Sequence, residues 1–258
     1  MKKLLVFIVL LLTAYAVLWV VPIISPKPDA QGAPPYDVAY DEEPETDRLN
    51  WLRNWQRPEG PAKVGLQVGH WKNDELPEEL EKLKGSTGSQ GAGKMEWEVN
   101  LAIAEGTKKL LEEKGIVVDL LPATVPHQYW ADVFVAIHAD GSTDRSKTGF
   151  KAAAPRRSMN QQAGKLLELI ENSYAKVTDM DLDPNVTRNM RGYYAFAWWR
   201  YTHSVHPMTA AVILETGFLT SPVDRKIIVN ASEIPAQGLA NGIIEYLESE
   251  GLFAVGDK

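Results

Sequence analysis

Val133–Ile137 (VFVAI) is an unbroken apolar run rich in β-branched and aromatic residues, the pattern of a strand buried on both faces. His138 follows it directly, then Ala-Asp-Gly-Ser, which is turn chemistry. Lys63–Val68, Val117–Leu121, Thr148–Ala153 and Ala210–Leu214 read as further strands. Helical periodicity covers Glu96–Lys114, Ser158–Lys176, Val223–Val229 and Glu233–Gly251. Strands alternating with helices predict an α/β fold: a single three-layer sandwich with a largely parallel or mixed central sheet flanked by helices.

The pattern differs before this domain. Met1-Lys2-Lys3 precedes the uncharged run Leu4–Ile24, which is long enough for a membrane-spanning helix. Ala14-Tyr15-Ala16 mimics a cleavage site, but the apolar run continues through it, so residues 1–24 are expected to form an uncleaved signal-anchor. Lysines ahead of the span place that end in the cytoplasm. The rest would then lie on the extracytoplasmic side, in the periplasm or at the cell-wall face. Residues 25–60 are rich in proline and acid and read as a solvated tether, with Trp51–Pro61 a helical or irregular collar at the domain edge. Residues 61–258 form the expected catalytic domain.

Of 258 residues, 45% are hydrophobic, and the net charge is -7. That charge, with no Lys/Arg cluster, argues against a nucleic-acid partner. The chain has no cysteine, which excludes disulfides, iron–sulfur clusters, thiolate zinc sites and a cysteine nucleophile.

In open α/β sheets, sites collect beyond the carboxyl ends of the strands. Three candidates fall there: His70 after AKVGLQVG, His138 after VFVAI, and Glu215 after AAVIL. Each alone has a plain structural reading, such as a strand-end histidine bonded to a carbonyl; together they suggest a site. A fourth candidate is sought in the helix beginning GKMEWEVNLAIA, where Glu96 and Glu98 compete. Helical spacing puts Glu96 on the apolar stripe with Val99, Asn100, Ile103 and Leu110. Glu98 falls on the face of Leu101, Ala102, Glu105, Lys109 and Glu112, which is mostly solvated. Two imidazoles and one carboxylate make a catalytic Zn2+ set that leaves a position for water. The metal lowers that water's pKa and polarises a carbonyl. Glu215 can then accept the proton and pass it to a leaving nitrogen, which is chemistry for amide hydrolysis.

GLQVGHW, GKMEWEVNLAIA, ADVFVAIHADGS and AVILETGFLTSPVD, in this order, resemble the zinc-dependent N-acetylmuramoyl-L-alanine amidases, a cell-wall hydrolase family often called amidase type 3. The resemblance spans roughly Lys63–Leu247. It implies zinc on His70, Glu96 and His138, catalysis by Glu215, and peptidoglycan as substrate, cut between the muramoyl lactyl group and L-alanine. The chain departs from the family pattern in three places. Trp71 and Lys72 follow the first histidine where the family has glycine. The stretch Pro122–Trp130 is short. Arg188–Pro207 matches the family's Arg-Gly segment loosely and is unusually aromatic.

Within that aromatic segment, Tyr193, Tyr194, Trp198 and Trp199 suit either the core or stacking on sugar rings. Arg191 is a candidate for a peptide carboxylate, and His206 a candidate cleft residue beside His203. His127 receives no role. Two rival readings remain: another zinc amide hydrolase of carboxypeptidase type, for which Arg191 would bind a terminal carboxylate, and a wall-binding scaffold that has lost catalysis. The second would be expected to lack one of the four key residues, and all four are present. A protein activator is compatible with the sequence but not indicated by it. Protease added to intact spheroplasts is expected to digest the domain; full protection would reverse the orientation or exclude export.

Overall fold

The computed structural model describes residues 52–254; the proposed anchor and most of the tether lie outside them. Among the described residues, no helix is long and apolar enough to cross a membrane.

The core is a five-stranded sheet. Its strands are β1 (Lys63–Val68), β4 (Val117–Leu121), β5 (Val133–Asp140), β6 (Lys151–Ala153) and β7 (Ala210–Phe218). They lie in the order β4-β1-β5-β7-β6. The first four are parallel, and β6 runs antiparallel to β7 at one edge. After β1 the chain returns to pair β4 on one side, then crosses to β5 on the other. The strand order therefore reverses between β1 and β5, and a crevice opens at their carboxyl ends. A separate two-stranded ribbon joins β2 (Gln90–Gly91) to β3 (Lys94–Met95). Ala92 and Gly93, its two turn residues, both have positive φ, 52° and 74°, as a tight hairpin turn requires.

One face of the sheet carries α1 (Glu96–Glu112), α2 (Ala163–Thr178) and α5 (Glu233–Ser249). Val64, Leu66, Val68, Val133, Val135, Ile137, Val212 and Leu214 pack there against Ile103, Leu111, Leu166, Ile170, Leu239 and Ile243. The opposite face, with Phe134, Ala136, Ala211 and Ile213, packs against Met190, Ala195, Phe196 and Val205. The sheet is thus flanked on both faces, as a three-layer sandwich requires, but this second layer carries only the short helical turns α3 (Arg188–Arg191) and Tyr194–Phe196 within irregular chain. A further short helix, α4 (Arg225–Ile228), precedes α5.

Element boundaries also shift for local reasons. The second long helix begins at Ala163 rather than Ser158. Asn160 instead accepts the Gln162 N–H through its side chain and donates to the Met208 carbonyl, holding residues 158–162 in a turn. The edge strand begins at Lys151 rather than Thr148, because Phe150 bonds to Asp181 and Asp183 instead. The collar is anchored by Arg57, whose guanidinium grips both oxygens of Asp132 at 2.6 and 2.9 Å.

Helices α2 and α5 touch at Gly242, where an added Cβ would lie 2.7 Å from the Ile170 Cα and 2.9 Å from the Leu169 carbonyl oxygen. Gly242→Ala should therefore separate the two helices and cost about 1–3 kcal/mol, the usual range for overpacking. At Gly164 in α2, a Cβ would meet no atom within 4 Å, so Gly164→Ala should not lower stability. Thermal melts of the two variants check this contrast.

Candidate metal centre and groove

His70 follows β1 in a turn, with the left-handed φ of 64°. His138 lies within β5, which continues to Asp140 rather than ending at the histidine. Glu96 opens α1, delivered by the hairpin before it. One donor atom from each of these three residues lies within 4.8 Å of the others. His70 Nε2 is 3.5 Å and His138 Nδ1 3.0 Å from the same carboxylate oxygen, Glu96 Oε1. The two rings meet edge to face, with centroids 5.1 Å apart. Two glycines permit this convergence. A Cβ on Gly69 would lie 2.5 Å from the His138 ring, and one on Gly88 would collide with Glu96 Oε2.

The surrounding hydrogen bonds orient the donors. Glu96 Oε2 accepts the Ser89 N–H at 2.6 Å, and Oε1 accepts the Ala139 N–H at 3.2 Å. His70 Nδ1 lies 2.8 Å from the Ser86 carbonyl. A carbonyl can only accept, so Nδ1 carries the hydrogen and the lone pair of Nε2 faces the centre. A lone pair facing a carboxylate at this depth suits a cation between them, and so does this donor set. Burial lowers the His70 pKa, with the charge of Glu96 opposing it. Burial also works to raise Glu96, but the His138 hydrogen bond and the two imidazole charges outweigh it and hold the carboxyl low.

Glu215 is the in-register neighbour of His138 on β7 and is 2% exposed. Its Oε2 has no hydrogen-bond partner among the described residues. Burial drives its carboxyl well above the usual range, with the charge of His138 opposing. On the other side, Lys151 of β6 is in register with Glu215. Its buried ammonium is held by Asp140 at 2.6 Å and Asp183 at 3.1 Å. Sequence reasoning misses Lys151; a lysine inside an apolar edge strand is its only signal.

A groove of about 310 Å³ leads away from His70 and His138. Its walls are the 3₁₀ turn Glu78–Leu83 and residues of the 189–201 segment, including Met190, Tyr193, Tyr194 and Tyr201. Glu79 ties the two walls together by accepting the Thr202 and His203 N–H groups and pairing with the His203 ring at 2.5 Å. Tyr193 and Tyr194 thus line the groove as well as packing against the core.

Two of the candidates fall elsewhere. Arg191 is exposed and does not line the groove, whereas Arg200 does. His206 is buried against Trp55, with ring centroids 5.2 Å apart, and its Nδ1 accepts the Met208 N–H. It bonds through its backbone to Tyr129, at the end of the sheet away from the metal centre. His203 serves the wall contact, and His127 meets its ring edge to face, with centroids 4.1 Å apart.

A switch-point crevice holding two histidines and a carboxylate defines a metal-hydrolase type of centre. Comparison with known proteins places it in a family: residues 64–245 match the family described as N-acetylmuramoyl-L-alanine amidase. The chain belongs to that family. It is 26% identical over 206 residues to the N-acetylmuramoyl-L-alanine amidase AmiA of Salmonella typhimurium, covering 62% of this chain and 71% of the relative. AmiA of Escherichia coli K12 is 25% identical over the same shares. Among solved structures, an N-acetylmuramoyl-L-alanine amidase from Clostridium difficile 630 superposes with a TM-score of 0.53 at 19% identity, covering 75% of this chain and all (100%) of the other. Ami1 from Mycobacterium smegmatis gives 0.53 at 15% identity, over 73% and 97%. These last two likenesses speak to the fold.

Glu98 does not reach the centre. Its carboxylate accepts the Met95 N–H at 2.8 Å and faces Lys94. Glu96→Ala is therefore expected to strip metal from the purified chain, whereas Glu98→Ala should retain it and only loosen the helix start. Elemental analysis of both variants separates the two carboxylates.

Proposed function

We propose that this chain cleaves peptidoglycan at the amide between the muramoyl lactyl group and L-alanine of the stem peptide, using Zn2+ held by His70, Glu96 and His138. The observation that carries this reading is the convergence of three donors within 4.8 Å beside the buried Glu215, in a chain of this family. When bound, zinc would supply Lewis-acid chemistry, polarising the scissile carbonyl and making water acidic enough to react near neutral pH.

The protein's own residues do the rest. The groove walls hold the substrate and exclude bulk water. Glu215 accepts the proton of the attacking water and returns it to the departing amide nitrogen, so that the nitrogen leaves as a neutral amine. A carboxyl that burial holds above its ordinary range is suited to giving up a proton near neutrality. Lys151 and its two carboxylates support the strand beside it. The N-terminal run would anchor the domain on the outer side of the membrane, within reach of the wall.

Digestion of purified peptidoglycan by the full-length chain tests the reaction. Mass analysis should find stem peptides with free L-alanine amino termini; loss of a carboxyl-terminal residue instead would point to a carboxypeptidase. Glu215→Gln should keep zinc and lower turnover roughly a hundred- to ten-thousand-fold, the usual contribution of a general acid–base. Loss of zinc in that variant would make Glu215 a ligand, and near-normal turnover would place the base elsewhere.

A further inference from the structure

Gln67 is a polar side chain with no exposure, near the carboxyl end of strand β1, between the buried Leu66 and Val68. Its Nε2 lies 2.7 Å from the Ala123 carbonyl oxygen and 2.9 Å from the Tyr194 hydroxyl. Because a carbonyl only accepts, the amide group must turn its NH2 toward Ala123. Its carbonyl oxygen, Oε1, then faces the Tyr193 hydroxyl at 3.0 Å and can only accept from it. With its hydrogen committed to Gln67, the Tyr193 oxygen is left as an acceptor. That oxygen lies 3.4 Å from His138 Nε2, and the two rings meet edge to face at 5.4 Å.

We infer that Gln67 and Tyr193 are positioning residues for the metal centre: they form a directed relay that holds a hydrogen of His138 on Nε2, so that Nδ1, which faces Glu96 Oε1 at 3.0 Å, is the nitrogen that gives up its hydrogen to a metal. The relay runs in one sense from the Ala123 carbonyl to the imidazole, and each link is determined by the one before it. It is the counterpart of the Ser86 carbonyl at His70, which directs that ring by the same logic from the other side. Without the relay, nothing would hold the hydrogen on Nε2, and Nδ1 could keep its own toward Glu96 against the metal. The inference rests on the reading that His138 is a ligand.

The test is zinc affinity of the purified full-length chain, measured by competition with a chromophoric chelator. Tyr193→Phe keeps the ring and its packing but removes the acceptor, and should weaken zinc binding about 10–100-fold, the usual cost of losing such an outer partner. Tyr129→Phe removes the hydroxyl of another buried tyrosine, one bonded to Asp119 at 3.0 Å and in contact with neither Gln67 nor His138, and should stay within about twofold of the parent, since no partner of a ligand is lost. Nitrogen-15 spectra of the histidine rings in the zinc-loaded chain give a second readout. They should show a solvent-protected Nε2 proton on His138 in the parent, and rapid exchange of that proton in Tyr193→Phe. Equal zinc affinity in parent and Tyr193→Phe overturns the relay, as does an equal loss in Tyr129→Phe, which would mean general repacking. Coordination of His138 through Nε2 overturns it as well. A parent chain that binds no zinc overturns the metal reading itself, a result distinct from all of these.

Discussion

Glu96 Oε1 is the point on which the centre turns. A carboxylate taken this far from water is costly unless its charge is answered, and the fold answers it from several directions. Backbone N–H groups of Ser89 and Ala139 donate to the carboxylate, and two imidazoles converge on it. These four contacts come from three parts of the chain: the loop before the hairpin, strand β5, which gives both Ala139 and His138, and the turn after β1. The carboxylate therefore fixes how these parts meet as much as it prepares a cation site. The crossover between β1 and β5 supplies the space, and the glycines at 69 and 88 allow the backbone to come close enough.

Much of this is legible in the sequence because it follows from periodicity. The apolar runs mark four parallel strands, and the carboxyl ends of three of them point to His70, His138 and Glu215. Helical spacing separates Glu96 from Glu98, and the structure buries the first while the second caps its own helix. The stripe itself is displaced at its far end, where Leu111 rather than Leu110 is fully buried. Residues reached through irregular chain are not legible. The segment from 186 to 205 has no period that reveals which face it covers, so neither the non-helical second layer nor the placement of Tyr193 can be read from it. Arg191 and His206 are candidates only by nearness along the chain, and the turns between them point them elsewhere. Gln67 and Lys151 do leave a trace, each a polar interruption of an apolar strand, but a single interruption does not name its partners.

The same irregular layer distinguishes this chain's groove. The 3₁₀ turn after His70 and the aromatic segment before β7 form facing walls joined by Glu79 and His203. Satellite packing of Leu76, Leu80 and Ala123, with Leu83, Tyr194 and Tyr201 against them, gives those walls a small core of their own. Substrate discrimination can thus be altered in this layer without disturbing the helix-covered face and its larger apolar cluster.

The backbone at His70 has a further consequence. A residue with a Cβ held at a φ of 64° sits in a conformation that costs about 1–2 kcal/mol relative to the right-handed region, and glycine would relieve it. The metal-free chain would thus be eased at this turn by His70→Gly, while the metal-loaded chain would lose a ligand and with it the stability that binding confers on the folded state.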